Sequence, residues 1–175
     1  MSDLIQRYQE MAATGLSFRG LSLLTHRETI RALIRKTGSK TLLDWGAGAG
    51  DAYRTPNKIH EKWGLKLSDV VRHDPAFPKY ARIPEGRFDG VICSDVLEHI
   101  PGPDVDKTIE TLFDYSLKFV FASVCCRPAK KFFPNSGDPG INLHVTIRPF
   151  NWWREKFIAI GSSHSGVTWQ LIESP

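Results

Sequence analysis

Cysteine is scarce in this chain, with three among 175 residues. They stand at Cys93 and as the neighbours Cys125 and Cys126; this excludes a regular disulfide framework, and the spacing matches no zinc pattern. No apolar run approaches the roughly 20 residues that a membrane-spanning helix needs. The start, Met1-Ser2-Asp3-Leu4-Ile5-Gln6-Arg7, lacks the apolar segment of a signal peptide. Together these absences predict a reduced, cytoplasmic protein. There is no internal repeat, no low-complexity tract and no strong excess of one charge. Lys and Arg number 23 against 19 Asp and Glu, for a formal net charge of +4. Such a balance permits an anionic partner such as nucleic acid but does not require one. What is present suffices for one domain: 41% of the residues are apolar, enough to bury a substantial core at this length.

Periodicity predicts alternating helices and strands. Leu4, Ile5, Tyr8, Met11 and Ala12 recur at helical spacing over residues 1–13. Thr25 with Glu28 has the form of a capping box, Ile30, Leu33 and Ile34 give the next helix its apolar face, and Gly38 is a natural stop. Strands are expected at 40–45, 69–72, 88–94 and 119–124. A helix is expected from the loop after the first strand to about residue 62, another around Val105, Ile109, Leu112 and Phe113, and a last one at 150–157 behind Pro149. The tail, about 158–172 with Gly161 and Gly166 inside, reads as a closing antiparallel hairpin. Strands alternating with helices mean a largely parallel sheet covered on both faces. Residues 1–38 would then form an N-terminal helical cap on a core of residues 40–175, all within a single domain.

The run Leu42-Leu43-Asp44-Trp45-Gly46-Ala47-Gly48-Ala49-Gly50 is the most informative segment. Alternating glycines let a backbone turn sharply and let a ligand approach where a Cβ would stand. A dinucleotide fingerprint needs its third glycine three residues after the second. Asp51 occupies that position, beside the expected helix start, where a carboxylate would repel a pyrophosphate. The pattern Asp-x-Gly-x-Gly-x-Gly instead resembles the first motif of class I S-adenosylmethionine-dependent methyltransferases. Their cofactor carries a sulfonium and an ammonium and no phosphate, so an acidic glycine loop suits it. A glycine-rich turn or helix cap is the plainer reading of the same residues.

A second stretch, Phe88-Asp89-Gly90-Val91-Ile92-Cys93-Ser94-Asp95-Val96-Leu97-Glu98-His99, resembles that family's motif after the fourth strand of its fold. The two motifs occur in the family's order, and the resemblance runs over residues 40–158. It implies a Rossmann-like methyltransferase fold with a mostly parallel seven-stranded sheet, a C-terminal antiparallel hairpin and helices on both faces. It also implies an S-adenosyl-L-methionine site built from Asp44, Gly46, Ala47, Gly48, Gly50, Asp74, Pro75, Ser94, Asp95 and Val96, with Asp74 accepting the ribose hydroxyls. A carboxylate has two oxygens for two such donors. The acidic adenine contact found in many members has no counterpart in residues 80–87, and backbone groups near Ala81 or Ile83 are the candidates to replace it.

Asp95, Glu98 and His99 have the i, i+3, i+4 spacing of one helical face. Two carboxylates and an imidazole are a reasonable divalent-metal set. Ubiquinone-pathway O-methyltransferases and small-RNA 3′-end 2′-O-methyltransferases use a comparable Glu-x-x-Glu-His arrangement, the RNA enzymes with a later histidine that His144 could match. The metal reading therefore takes Asp95, Glu98, His99 and His144. In metal-free relatives the same Leu-Glu-His orients loops or acts on substrate, so the catalytic reading takes His99 as general base, with Glu98 and His144 beside it. Arg127, Lys130 and Lys131 among Phe132 and Phe133 could grip a phosphate or stack on a base; an anchored, solvated loop explains them as well. No Asn-Pro-Pro-Tyr or Asp-Pro-Pro-Tyr run follows the 88–94 strand, which counts against methylation of DNA amines, and no Pro-Cys pair supports carbon-5 chemistry. The resulting expectation is a methyltransferase acting on an O or N acceptor, either a small molecule or a polymer end. The alternatives are a metal-assisted RNA or sugar O-methyltransferase, a non-catalytic S-adenosylmethionine-binding regulator and, more distantly, a nucleotide-dependent oxidoreductase.

Overall fold

The computed structural model describes residues 2–14, 18–134 and 140–174. Its strands are β1 Leu42–Trp45, β2 Val70–His73, β3 Phe88–Ser94, β4 Ser116–Val124 and β5 Thr168–Glu173. They form one sheet, every pair parallel, in the order β2-β1-β3-β4-β5. The helices are α1 Ser2–Ala13, α2 Arg27–Thr37, α3 Ile59–Lys62, α4 Val105–Tyr115 and α5 Phe150–Gly161. This is an α/β, Rossmann-like arrangement in general kind.

Alternation along the strands decides which core each side chain joins. Leu42, Ile92, Phe119 and Phe121 point to one face, where α2 contributes Ile30, Leu33 and Ile34 and the α3 region adds Ile59 and Trp63. Their immediate neighbours Leu43, Val91, Val120 and Ala122 point to the other, under Ile109, Leu112 and Phe113 of α4 and Trp153 and Phe157 of α5. With both faces covered, the strands read as continuous apolar runs, as buried parallel strands do. Of the two adjacent tryptophans, Trp153 is fully buried and Trp152 is partly exposed.

Several expectations are corrected. Among the described residues there are five strands, not seven, and no C-terminal antiparallel hairpin. Residues 158–160, expected in the hairpin's first arm, continue α5 to Gly161. A short apolar run such as Phe157-Ile158-Ala159-Ile160 suits helix or strand equally, and packing on α4 settles it. After the turn at 162–167 the chain has crossed the sheet's end, so β5 joins β4 parallel, from Phe119 opposite Thr168 to Val124 opposite Glu173. The long helix expected after β1 is a 3₁₀ turn at Asp51–Tyr53 and the four-residue α3. Pro56 lies between them, without an N–H to donate and unfavourable to helix in the residue before it. The helix α2 starts at Arg27 behind His26 without a side-chain cap, so the Thr25–Glu28 box is not formed. Gly38 does end it in the left-handed conformation, at φ 60°. α2 packs into the core, leaving α1 as the covering element. No helix among the described residues is long and apolar enough to cross a membrane.

Candidate active site

The chain leaves β1 toward β2 on one side and later places β3 on the other, so the strand order reverses at β1. Loops diverge at such a point and open a crevice at the carboxyl ends of the strands. A cavity of about 190 Å³ lies there. Trp45 and Gly46 line it from the end of β1, Asp74 and Pro75 from β2, Asp95 and Val96 from β3, and His99 from the turn that follows. Leu4, Ile5 and Tyr8 of α1 line it as well.

The glycine loop is tied down by its own protein. Gly46 and Ala47 N–H donate to the His73 carbonyl (2.8 and 3.1 Å), Ala49 to Phe18 (2.8 Å), Gly50 to Ala47 (3.0 Å) and Asp51 to Arg19 (3.0 Å). Gly48 donates to Asp74 Oδ2 at 2.8 Å. Every N–H from Gly46 to Asp51 is thus engaged. The glycines are needed for this packing: a Cβ on Gly46 would stand 2.2 Å from Val96 Cγ2, and one on Gly48 2.4 Å from the Phe18 carbonyl oxygen, both at positive φ. Asp51 faces Arg19 and Arg54, at 2.9 and 3.2 Å.

Asp74 is fixed by two backbone donors, Gly48 to Oδ2 and Ala76 to Oδ1 at 2.9 Å. Burial raises its pKa above the ordinary carboxylate value, and the two N–H groups oppose the rise. Asp95 has φ 54°, in the left-handed region that an L-residue seldom adopts. Ser123 Oγ donates to its Oδ1 at 2.8 Å, and Ser174 Oγ donates to the same oxygen. Asp44 does not line the cavity. It is buried, takes a hydrogen bond from Tyr53 Oη at 2.9 Å, and is pushed by burial to a pKa of about 7. Ala47, Gly48, Gly50 and Ser94 do not line the cavity either; Ser94 joins a hydroxyl pair with Ser123 at 3.0 Å. Ala81 and Ile83 are not among the lining residues.

Glu98 and His99 share a 3₁₀ turn, Leu97–His99, so Asp95 does not project with them as on an α-helix. His99 Nδ1 lies 3.0 Å from the Leu143 carbonyl and 2.9 Å from Tyr8 Oη, which itself donates to that carbonyl at 2.9 Å. A carbonyl only accepts, so Nδ1 carries the hydrogen and Nε2 keeps a lone pair. Burial, with His144 adding to it, lowers the His99 pKa to about 4. His144 Nδ1 faces the Arg127 carbonyl, and its ring meets that of His99 edge-on at 4.9 Å. Glu98 is wholly buried, and burial raises its pKa to about 8. Its Oε1 accepts from Cys125 N–H at 3.1 Å, while Oε2 has no hydrogen-bond partner among the described residues. One ligand atom each from Glu98, His99 and His144 lies within 4.8 Å of the others; Asp95 stands outside this group.

The loop after β4 brings His144 here. Asn142 Oδ1 accepts from Ala129 and His144 N–H, each at 2.9 Å, and its Nδ2 returns to the Ala129 carbonyl. Phe133 is buried against Met11 and Leu143, whereas Phe132 is exposed, and Arg127, Lys130 and Lys131 do not line the cavity. Sequence reasoning did not assign Tyr8, Phe18, Trp45, Ile100, Pro101 or Thr108 to the site, yet all six line it. Trp45 was signalled by its place inside the glycine motif, and Tyr8 by its helical spacing with Leu4 and Ile5. The sequence places residues 1–38 as a cap on the core without saying which side chains of α1 reach the site.

No protein-family model matches the chain, and no curated protein matches it.

Proposed function

We propose that this protein is an S-adenosylmethionine-dependent methyltransferase acting on an oxygen or nitrogen acceptor beside His99. The observation that carries the reading is the state of the glycine loop: all its N–H groups from Gly46 to Asp51 are bonded within the protein. A phosphate therefore finds no donor there, and no helix long enough to help it follows. Asp74 and Asp95 meanwhile give the cavity two carboxylates. A ligand suited to this place lacks phosphate and brings positive charge or hydroxyl donors. S-adenosylmethionine has both, and a nicotinamide or flavin nucleotide does not fit. Asp74, with one backbone bond on each oxygen, keeps acceptor capacity for two ribose hydroxyls. When bound, the cofactor supplies an electrophilic methyl on sulfonium. The chain holds Asp74 and Asp95 in place, closes the site with α1 and presents an unprotonated His99 Nε2 to the acceptor's proton. Calorimetric titration tests the reading. S-adenosylhomocysteine is expected to bind and NAD not to; tighter binding of NAD, or no binding of S-adenosylhomocysteine, overturns it.

A second reading, metal-assisted O-methyl transfer, is favoured by one specific observation, the partnerless buried Oε2 of Glu98. His99 and His144 each have Nδ1 against a carbonyl, the usual second contact of a metal-bound histidine. Glu98, His99 and His144 would hold the ion, a mixed N/O set suited to manganese, cobalt or zinc; it would polarise an acceptor oxygen. Adding manganese to the protein is then expected to raise its unfolding temperature, and Glu98→Ala or His144→Ala to remove that rise. An unchanged temperature in the intact protein removes this reading and leaves the first.

A further inference from the structure

Resting on the methyltransferase reading, we infer that the acceptor is a small uncharged molecule with one ring-sized apolar body and a hydroxyl, a phenol in the simplest case, seated between α1 and His99. Three features of the cavity point there. The first is size. The enclosed space is about 190 Å³, small against the roughly 300–1,000 Å³ of sites that enclose a whole drug-sized ligand, so a cofactor and its acceptor together must extend beyond it. With a cofactor on the Gly46 and Asp74 side, the wall left beside His99 favours an acceptor no larger than one ring.

The second is the wall. Leu4 and Ile5 from α1 and Ile100 and Pro101 after the 3₁₀ turn are apolar, and Tyr8 and Phe18 add aromatic rings. Tyr8 meets Phe18 edge-on at 5.3 Å, and Phe18 meets His99 the same way at 6.0 Å. Rings arranged so present both edges and faces to a further aromatic ring.

The third is charge. Among the described residues no Lys or Arg lines the cavity, and the charged ones that do are Asp74 and Asp95. A phosphate or carboxylate on the acceptor would lose its water beside two carboxylates with no cationic side chain to repay it. Nucleic acids are held chiefly through such cations. A protonated amine matches the sign but has no lone pair with which to attack. A neutral hydroxyl meets each requirement and finds an acceptor for its proton at His99 Nε2. In the transfer, an oxygen lone pair forms the new bond to the methyl carbon. The carbon–sulfur bond breaks with its electron pair remaining on sulfur, and the hydroxyl proton passes to Nε2. The products are a methyl ether, neutral S-adenosylhomocysteine and a protonated His99.

Three probes separate the classes: p-cresol, 4-hydroxybenzoate and a tetraribonucleotide with a free 3′-hydroxyl. Methyl NMR of the cofactor-free protein is expected to show p-cresol shifting Leu4, Ile5 and Ile100. Transfer from methyl-labelled cofactor is expected to run at least about tenfold faster to p-cresol than to either anion, the loss that one unmatched group imposes in a fitted site. Ile5→Lys is expected to narrow that ratio toward 4-hydroxybenzoate. Equal or faster transfer to 4-hydroxybenzoate or to the tetraribonucleotide overturns the inference. So does p-cresol that leaves the three residues unshifted, or that binds without being methylated while the cofactor binds. Failure of S-adenosylhomocysteine to bind, with the p-cresol shifts intact, instead overturns the methyltransferase reading and leaves an apolar site.

Discussion

At Asp74 one side chain does two things, closing the glycine loop through Gly48 N–H and facing the cavity. Asp74→Ala is expected to weaken S-adenosylhomocysteine binding by about 1.5–3 kcal/mol, as for lost hydrogen bonds to a charged acceptor, and calorimetry reads this directly. Glu98 governs a different quantity, the dependence of stability on pH. Its folded pKa of about 8 lies above the ordinary 4.5. Between those values the folded state holds a proton that the unfolded state has released, so stability falls as pH rises through this window and levels off above it. Asp44, raised to about 7 from 3.8, adds a fall at lower pH. His99, lowered to about 4 from 6.5, contributes the opposite, stability gained as pH rises between those two values. Between pH 7 and 8 the Glu98 effect stands clear of both. Chemical denaturation at a series of pH values is expected to show Glu98→Gln flattening that stretch, and a persistent slope would place its origin elsewhere. A bound divalent ion would favour the ionised carboxylate and flatten it too.

Among the elements, α1 is the one whose attachment is light. It is held by Met11 against Phe133 and Leu143, by Tyr8 Oη on the Leu143 carbonyl and by Gln9 Nε2 on the Pro75 carbonyl at 3.0 Å. None of these reaches the two cores on the sheet. Phe133→Ala is therefore expected to release α1 without unfolding the sheet, since small satellite clusters open locally at low free-energy cost. Hydrogen exchange of residues 2–13 should quicken while amides of β3 and β4 stay protected; loss of protection in both would make the cluster part of the main fold. Because Tyr8 also lies against His99 Nδ1, the same opening would expose the imidazole to water and raise its pKa toward the ordinary value.

For the molecule as a whole, the two cores share β1, β3, β4 and β5 between them. Ile30 of α2 belongs to one face and Ile109 of α4 to the other, yet neither helix can lose its packing without loosening the same strands. Ile30→Val and Ile109→Val are each expected to cost about 0.5–1.5 kcal/mol. Having no shared partners, they should add in the double variant within about 0.5 kcal/mol. Scanning calorimetry should show one transition in all three variants, with calorimetric and van't Hoff enthalpies equal. Two resolved transitions would mean that the faces unfold separately.

The apolar alternation in Leu42-Leu43 and Val91-Ile92, with helical periods between strands, was enough to read an α/β chain with a parallel sheet, because burial on two faces leaves a local signature in the strands. Gly38 was legible as a helix stop for the same reason: its conformation is a property of its own backbone. The positions of Asp74 and Asp95 at strand ends were legible too, as were Glu98, His99 and His144 as a group to consider together. Strand number and the direction of β5 were not, since both depend on which edge the chain reaches after α5, and Phe157-Ile158-Ala159-Ile160 has no pattern that decides between helix and strand. Nor could sequence tell that the glycine loop spends all its N–H groups on His73, Phe18, Arg19, Ala47 and Asp74, because four of those partners lie outside the loop and are brought to it only by folding. Tyr8 reaches His99 across 91 positions of sequence, and Glu98 Oε2 is left partnerless by burial. Contacts made at such distance, and the desolvation that comes with them, exist only once the tertiary structure closes, and they set the size, charge and proton affinity of the site.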